Sequence, residues 1–294
     1  MAKGSKEIRK RIRSVRNTQQ VTKAMKMVAA ARLRKSEGRT RASRPYSDTL
    51  REVMGHLAGV SGDYEHPFMK HIAEDQPRAA VLHLSSDKGL CGSFNTNLNR
   101  NLDRFIRQQR ANGIQTDLVC IGKKGARFAR KELGIEPLAE FPGITEKTTF
   151  NDLKGVFQLL TNAYLNKEAG EVFMSYARFV NVVKNVPSVI RLLPLEAVPG
   201  AGGEGGFRQE YDLEPSPEEL LEILLPRYFQ TQLYQAALES FTSENGARMV
   251  AMENATSAAG EMIDNLTLEY NKARQAGITL ELLDIVGGAE ALKG

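Results

Sequence analysis

Apolar residues recur at three- and four-residue steps near the start of the chain, at Ile8, Ile12, Val15, Val21, Met25 and Val28, with one longer gap. This is the period of an α-helix, and the stripe is narrow, closer to a coiled-coil seam than to a broad core face. Ala29, Ala30 and Ala31 keep the rod thin, and the pattern resumes at Leu50, Val53, Met54 and Leu57 before Gly59, Gly62 and Pro67 end it. Pro45 is expected to bend this arm, because an interior proline removes a hydrogen bond and crowds the preceding turn. A helix of ~55 residues is ~80 Å long, too long for a compact domain of this size to bury.

The middle of the chain changes period. Ala79 to Leu84 reads as a buried strand, followed by the polar turn Ser85-Ser86-Asp87-Lys88-Gly89 and a helix over 94–110. A second strand at 117–121 turns at Gly122 into a helix over 123–133. A third helix covers 150–166, and strands follow at 171–179 and 189–195. Strands alternating with helices predict a mostly parallel sheet with helices on its faces. The glycine-rich stretch 199–206 reads as a loop. After Pro215 and Pro217 a helix begins, with Ser216 as N-cap and Glu218 and Glu219 in its first turn. Pro226 is expected to kink it. The next 68 residues contain no proline, and their clearest seam is Ala251, Ala255, Ala258, Met262 and Leu266.

The pattern therefore predicts an α/β protein with long terminal helices: an N-terminal coiled-coil helix (1–60) and a C-terminal one (208–294) pair antiparallel. A central, mostly parallel, Rossmann-like α/β domain (77–198) lies between them, with linkers at 61–76 and 199–207. Charge sharpens this picture. Residues 1–51 hold 16 Lys/Arg and 3 Asp/Glu, a net of +13, which leaves −8 on the rest because the whole chain carries +5. Between Glu210 and Asp284 there are 14 acids and 4 bases. The two arms can attract one another, or the basic arm can face an acidic partner.

Candidate chemistry is sparse. Gly122-Lys123-Lys124-Gly125 sits between strand and helix, where phosphate loops sit, but it lacks the Walker spacing and a metal-holding Ser/Thr. An ordinary strand–helix turn explains it better. Cys91 lies in a polar loop with His83 nearby and no third group to complete a nucleophilic set, so a packed thiol is expected. The two cysteines, Cys91 and Cys120, do not make a disulfide scaffold, which favours a reducing compartment. His56, His66, His71 and His83 have no metal spacing. No apolar run approaches the ~18 residues of a membrane span, so the chain is expected to be soluble or to reach a membrane only through partners. The basic arm could bind nucleic acid, yet no aromatic residue is interleaved with its bases before Tyr46.

Three blocks resemble the γ subunit family of F-type ATP synthases: IRSVRNTQQVTKAMKMVAA at 12–30, SDKGLCG at 86–92, and YNKARQAGITLELLDIVGGAEA at 270–291, with ARMVAM at 247–252 and NAT at 254–256. The resemblance runs the length of the chain. It implies a non-catalytic rotating central shaft without cofactor, coupling proton or Na⁺ flow to ATP chemistry on the β subunits. It also implies the partners: α and β subunits of the head, the ε subunit and the membrane c-subunit ring, with no nucleic acid. The expected location is peripheral, on the cytoplasmic face of a bacterial plasma membrane.

Matched to this sequence, the family's head contacts fall on Lys23, Met25, Lys26, Lys88, Arg248, Arg274, Gln275, Thr279 and Glu281. Its foot contacts with the c ring and ε fall on Glu210, Tyr211 and Glu214. Lys88 stands where many members have Arg, which keeps the charge but loses a bidentate fork, and Ser93 replaces a frequent glycine. No close cysteine pair is present, so the resemblance implies no thiol switch.

Overall fold

The computed structural model describes residues 2–60, 66–69, 77–195 and 214–291. The chain divides into two units, one made of Met1–Ala29 with Arg248–Gly294 and the other of Ala30–Ala247. Helix α1 (Ala2–Val60) and helix α5 (Pro217–Ala291) each contribute to both. Both helices contain their proline, Pro45 and Pro226, inside the assigned helix, so neither residue ends its element. Ser216 does cap α5 as expected, accepting from Glu219 N at 3.3 Å.

In the larger unit a five-stranded sheet has the order β3-β2-β1-β4-β5. Its strands are β1 (Arg78–Leu84), β2 (Gln115–Ile121), β3 (Ala139–Phe141), β4 (Glu171–Phe179) and β5 (Asn185–Leu193). The first four run parallel, with Leu82 opposite Val119 and Met174. β5 returns antiparallel to β4 through a tight hairpin. The mostly parallel sheet is as predicted, but the short strand β3 has no apolar run long enough to announce it, and β5 begins four residues before the predicted start. Helices α2 (Phe94–Ala111), α3 (Lys123–Phe128) and α4 (Lys154–Leu165) flank the sheet. The predicted helix over 123–133 changes to a wider π-type turn over Ala129–Leu133, ended by Gly134 in the left-handed region at φ 66°.

β1 is buried on both faces, as its unbroken apolar sequence requires. Ala80, Leu82 and Leu84 face α4, the end of α1 (Leu50, Met54, Leu57) and the first half of α5 (Leu225, Phe229, Leu233). Val81, Leu118 and Cys120 face α2 and α3 through Leu102, Ile106 and Ala126. Within this unit α1 and α5 run antiparallel: Thr40 hydroxyl meets that of Thr242 at 3.1 Å, Ser43 bonds Gln235, and Arg227 Nε donates to Tyr46 at 3.3 Å. Among the described residues the buried positions of α1 here are Leu33, Ser36, Thr40, Ser47, Leu50, Met54, Gly55 and Leu57.

The smaller unit is the remaining pair of helix segments, also antiparallel. Thr22 and Thr256 share a hydroxyl bond of 2.8 Å, Gln19 Nε2 donates to Thr256 O at 3.4 Å, and Lys26 forms an ion pair with Glu253. Of the predicted seams, Ile8, Ile12, Val15, Met25, Ala251, Ala255 and Leu266 are half-buried as expected, and the rest are corrected. Val21 and Val28 are more than half exposed, and the inward positions of α1 are Ile8, Ile12, Val15, Gln19, Thr22, Lys26 and Ala29. On α5 Met262 is 53% exposed and Ala258 is exposed, whereas Met252, Thr256, Ala259, Ile263 and Leu266 turn inward. Both seams keep alternating steps of four and three, the coiled-coil period. The Gln19 side chain lies close over α5, where a Cβ on Gly260 would come within 3.2 Å of its Nε2.

Candidate partner interface

The loops that could have carried chemistry are occupied by the protein itself. At the head of α3 the backbone N–H groups of Lys123, Lys124 and Gly125 donate to Asp87 Oδ1 (3.0 Å), Ser86 O (3.0 Å) and Ser85 Oγ (2.7 Å). The helix end that would have cradled a phosphate is filled by the 85–87 turn. A Cβ on Gly122, at φ 94°, would sit 2.2 Å from Ser85 O, and one on Gly125 2.5 Å from the His83 ring. The glycines serve close packing. Asp87 also accepts from Gly143 N at 2.8 Å and so joins three loops. The SDKG segment is in this respect a structural knot.

His83 is fully buried between Ser175 (3.1 Å) and Asn99 (3.0 Å), and burial pushes its imidazole down to about 4. It is neutral and unavailable as a base at neutral pH. Cys91 is buried and receives Asn95 Nδ2 at 3.2 Å; burial raises the Cys120 thiol to about 12. Both are packed thiols, as expected from sequence for Cys91. Among the described residues no cluster of His, Cys, Asp and Glu could hold a metal ion, and no helix is long and apolar enough to cross a membrane.

The outer surface of the smaller unit is where unburied apolar area collects. Ten of the seventeen large hydrophobic side chains exposed among the described residues lie in it, although it holds under a third of the chain. On α1 these are Val21, Met27 and Val28; on α5 they run from Met262 to Val286. Arg9, Arg13, Arg16 and Lys23 are exposed on the same segment of α1, giving it a basic as well as apolar surface. Over 19–29 the inward positions of α1 are small or polar while Val21, Met27 and Val28 face outward, so this stretch leaves apolar area that the helix pair itself does not cover.

The residues expected at contacts fall into three groups. Lys23 is exposed and Met25 half-buried on α1, while Lys26 turns into the seam, where its charge meets Glu253. Arg248 is half-buried at the start of the α5 segment of the same unit. Arg274, Gln275, Thr279 and Glu281 are exposed further along α5, with Thr279 Oγ1 donating to Gln275 O at 3.0 Å; every residue over 281–289 is exposed. In the larger unit Lys88 is exposed on the 85–93 loop, its carbonyl accepting from Ser86 Oγ at 2.6 Å, and Glu214 is exposed just before α5. Glu210 and Tyr211 lie outside the described residues. Sequence reasoning missed Met27 and the outward role of Val21 and Val28. Their signal was present, since Met25, Met27 and Val28 together, with Val21 about two turns from Val28, exceed what a narrow seam can bury.

The chain matches the family model described as ATP synthase over residues 4–292. It is 43% identical to the ATP synthase gamma chain of Glaesserella parasuis over 98% of this chain and 99% of that one. It is 42% identical to the ATP synthase gamma chain of Symbiobacterium thermophilum over the whole of both. Among solved structures, a chain of the Euglena gracilis mitochondrial ATP synthase OSCP/F1/c-ring assembly in rotational state 3 shares the fold with a TM-score of 0.74. That similarity comes at 20% identity and covers 99% of this chain and 95% of that one. A chain of the Tetrahymena thermophila mitochondrial ATP synthase central stalk and c-ring gives a TM-score of 0.56 at 22% identity, covering 80% and 99%.

Proposed function

The chain belongs to the ATP synthase gamma chain family, and from that membership we propose that it is the non-catalytic shaft of a rotary ATP synthase. The observation that carries this reading is the outer surface of the smaller unit, basic on α1 and apolar on both helices, which the chain leaves unburied. Such a surface suits rotation inside a sleeve of partner subunits: apolar contact has no direction and does not trap one angle, as a set of directed hydrogen bonds would. The exposed residues over 281–289 fit the end of such a shaft.

The partners are the α and β subunits around the helix pair, with ε and the c-subunit ring at the α/β domain. On this reading Lys23, Met25, Arg248, Arg274, Gln275, Thr279 and Glu281 meet the head, and Lys88 meets it from the sheet domain. Lys26 contributes more to holding α5 than to the head, because its ammonium is already paired. Glu210, Tyr211 and Glu214 meet the foot partners. Residues 1–60 and 208–294 act as the shaft and 77–198 as the foot domain. The chain is held peripherally at the cytoplasmic face of a bacterial inner membrane through these partners.

Coupling then has a simple thermodynamic form. A shaft without threefold symmetry touches three chemically identical β subunits differently, so each angle favours a different nucleotide affinity at each site. The free energy linking angle to affinity is the same in both directions, so ion-driven rotation releases ATP and hydrolysis drives rotation. The test is to mix the purified chain with α and β subunits and measure assembly and ATPase activity. A complex whose activity depends on the chain is expected. Absence of such a complex, or ATPase activity from the chain alone, overturns the reading.

A further inference from the structure

Leu50 is the first α1 residue of the main apolar cluster, and in the stretch from Ala30 to Ser47 Leu33 is the buried large apolar side chain. The α1 residues that join the main cluster are Leu50, Val53, Met54 and Leu57, whereas between Ala30 and Ser47 the inward positions include Ser36, Thr40 and Ser43, and the last two bond α5. Over that stretch, polar contacts with one loop, residues 145–150 between β3 and α4, join α1 to the sheet domain. Arg39 forks onto it: Nη1 donates to the carbonyl of Glu146, and Nη2 to that of Thr148 at 2.9 Å and to the Tyr234 hydroxyl of α5 at 3.3 Å. One heptad earlier, Arg32 lies 3.6 Å from the buried Glu146 carboxylate. One heptad later, Tyr46 accepts from Arg227 of α5, whose guanidinium stands 4.7 Å over the Phe150 ring. Phe150 also packs on Tyr234 at 5.8 Å.

The loop is stiffened before it grips. Thr145 and Thr148 exchange two bonds of 2.9 Å, and Thr149 donates its hydroxyl to Asp152 at 2.8 Å and its N–H to the same carboxylate oxygen. These two bonds hold the Asp152 carboxyl below its usual range. A pre-organised loop held by α1 and α5 together has the form of a clasp.

We propose that the loop 145–150 is a torsional clasp, and that Arg39 is its positioning residue, making the sheet domain turn α1 and α5 as one body. The inference rests on the shaft reading, since only a rotating chain carries torque across this joint. The fork matters more than the charge: Arg39 meets its three acceptors from two nitrogens held in one plane, a geometry the single ammonium of lysine does not reproduce.

Arg39→Lys tests it in the complex with α and β, with the head fixed and a bead on the solvent face of α2. The expected result is a pause-angle variance that roughly doubles while the unloaded stepping rate stays at the wild-type value. Glu146→Gln keeps both backbone acceptors and is expected to leave the variance near wild type. Wild-type variance in Arg39→Lys, or equal broadening in both variants, overturns the clasp. In the isolated full-length chain, amide exchange of Thr148 and Thr149 is expected to quicken by about tenfold or more, the loss of charged hydrogen bonds. Unchanged exchange overturns the clasp even if the variant does not assemble. Failure of the wild-type chain to form a rotating complex counts against the shaft reading instead, leaving exchange to decide the joint.

Discussion

Along α1 the inward positions from Gln19 to Ala29 and those from Leu33 to Leu57 keep the same four-and-three spacing yet meet opposite surroundings. In the larger unit the seam ends in Leu50, Met54 and Leu57, which join a core with the sheet, α4 and the aromatic first half of α5. In the smaller unit it consists of Gln19, Thr22, Lys26 and Ala29, while Val21, Met27 and Val28 face outward. One helix is thus used first as an exposed surface and then as a structural layer. The difference teaches where stability resides: the larger unit buries its apolar residues in its own core, and the smaller one leaves apolar area exposed.

The strongest way to break this contrast is to cut into the core of the larger unit. Phe229 is 1% exposed and packs edge-on against Phe68 and Phe157, at ring separations of 6.1 and 6.3 Å. Phe229→Ala is expected to destabilise the chain by ~3–5 kcal/mol in urea unfolding, the usual cost of emptying a buried aromatic site. A loss below ~1 kcal/mol would mean that the sheet domain is not the stable part.

A somewhat smaller effect comes from pH. The buried His83 binds a proton in the folded chain only near pH 4, whereas in the unfolded chain it does so near its ordinary 6.5. Between these values the unfolded state holds the extra proton, so stability falls as pH falls through that window and levels off below it. The loss amounts to about 3 kcal/mol, on the order of 1.4 kcal/mol per pH unit. His83→Gln should remove this part of the slope while leaving that of the carboxylates. Unfolding curves from pH 7 to 4 with identical slopes in the two chains would show that His83 is not sealed in the core.

Much of this fold was legible because burial on both faces leaves an unmistakable run: the strand at Ala79 to Leu84 needed no context. The period of the long helices was equally legible, but their phase only in part: Ile8, Ile12, Val15 and Leu266 turn inward as read, Val21, Val28, Ala258 and Met262 do not. Phase was set by apolar identity, which selects Val21 and Val28; the seam instead takes Thr22, Lys26 and Thr256, whose hydroxyls and charge find partners across a narrow gap. Identity misleads wherever polar side chains find partners across a seam and apolar ones stay exposed. Strand β3 was missed because three residues at a sheet edge carry no period. The role of Asp87 was missed because its partners, the N–H groups of Lys123 and Gly143, are far away in sequence. The contacts expected from family resemblance scatter over both units, which no local pattern encodes.

The smallest effect on the chain itself is the sharpest test of the comparison. Val28→Ser and Met27→Ser alter side chains that are 54% and 61% exposed. Neither carries a bond across the seam, and serine remains compatible with a long helix. Each is expected to change unfolding stability by no more than ~0.5 kcal/mol, the range of exposed substitutions. Assembly with α and β should nevertheless weaken, since the same methyl groups leave water only when partners close around them. Ala29→Ser, one position away but in the seam, should do the reverse, lowering the stability of the helix pair with less effect on partner affinity. Measuring both quantities for the three variants decides the matter. If Val28→Ser costs as much folding stability as Ala29→Ser, the outward face is not outward, and the distinction between shaft surface and shaft core is lost.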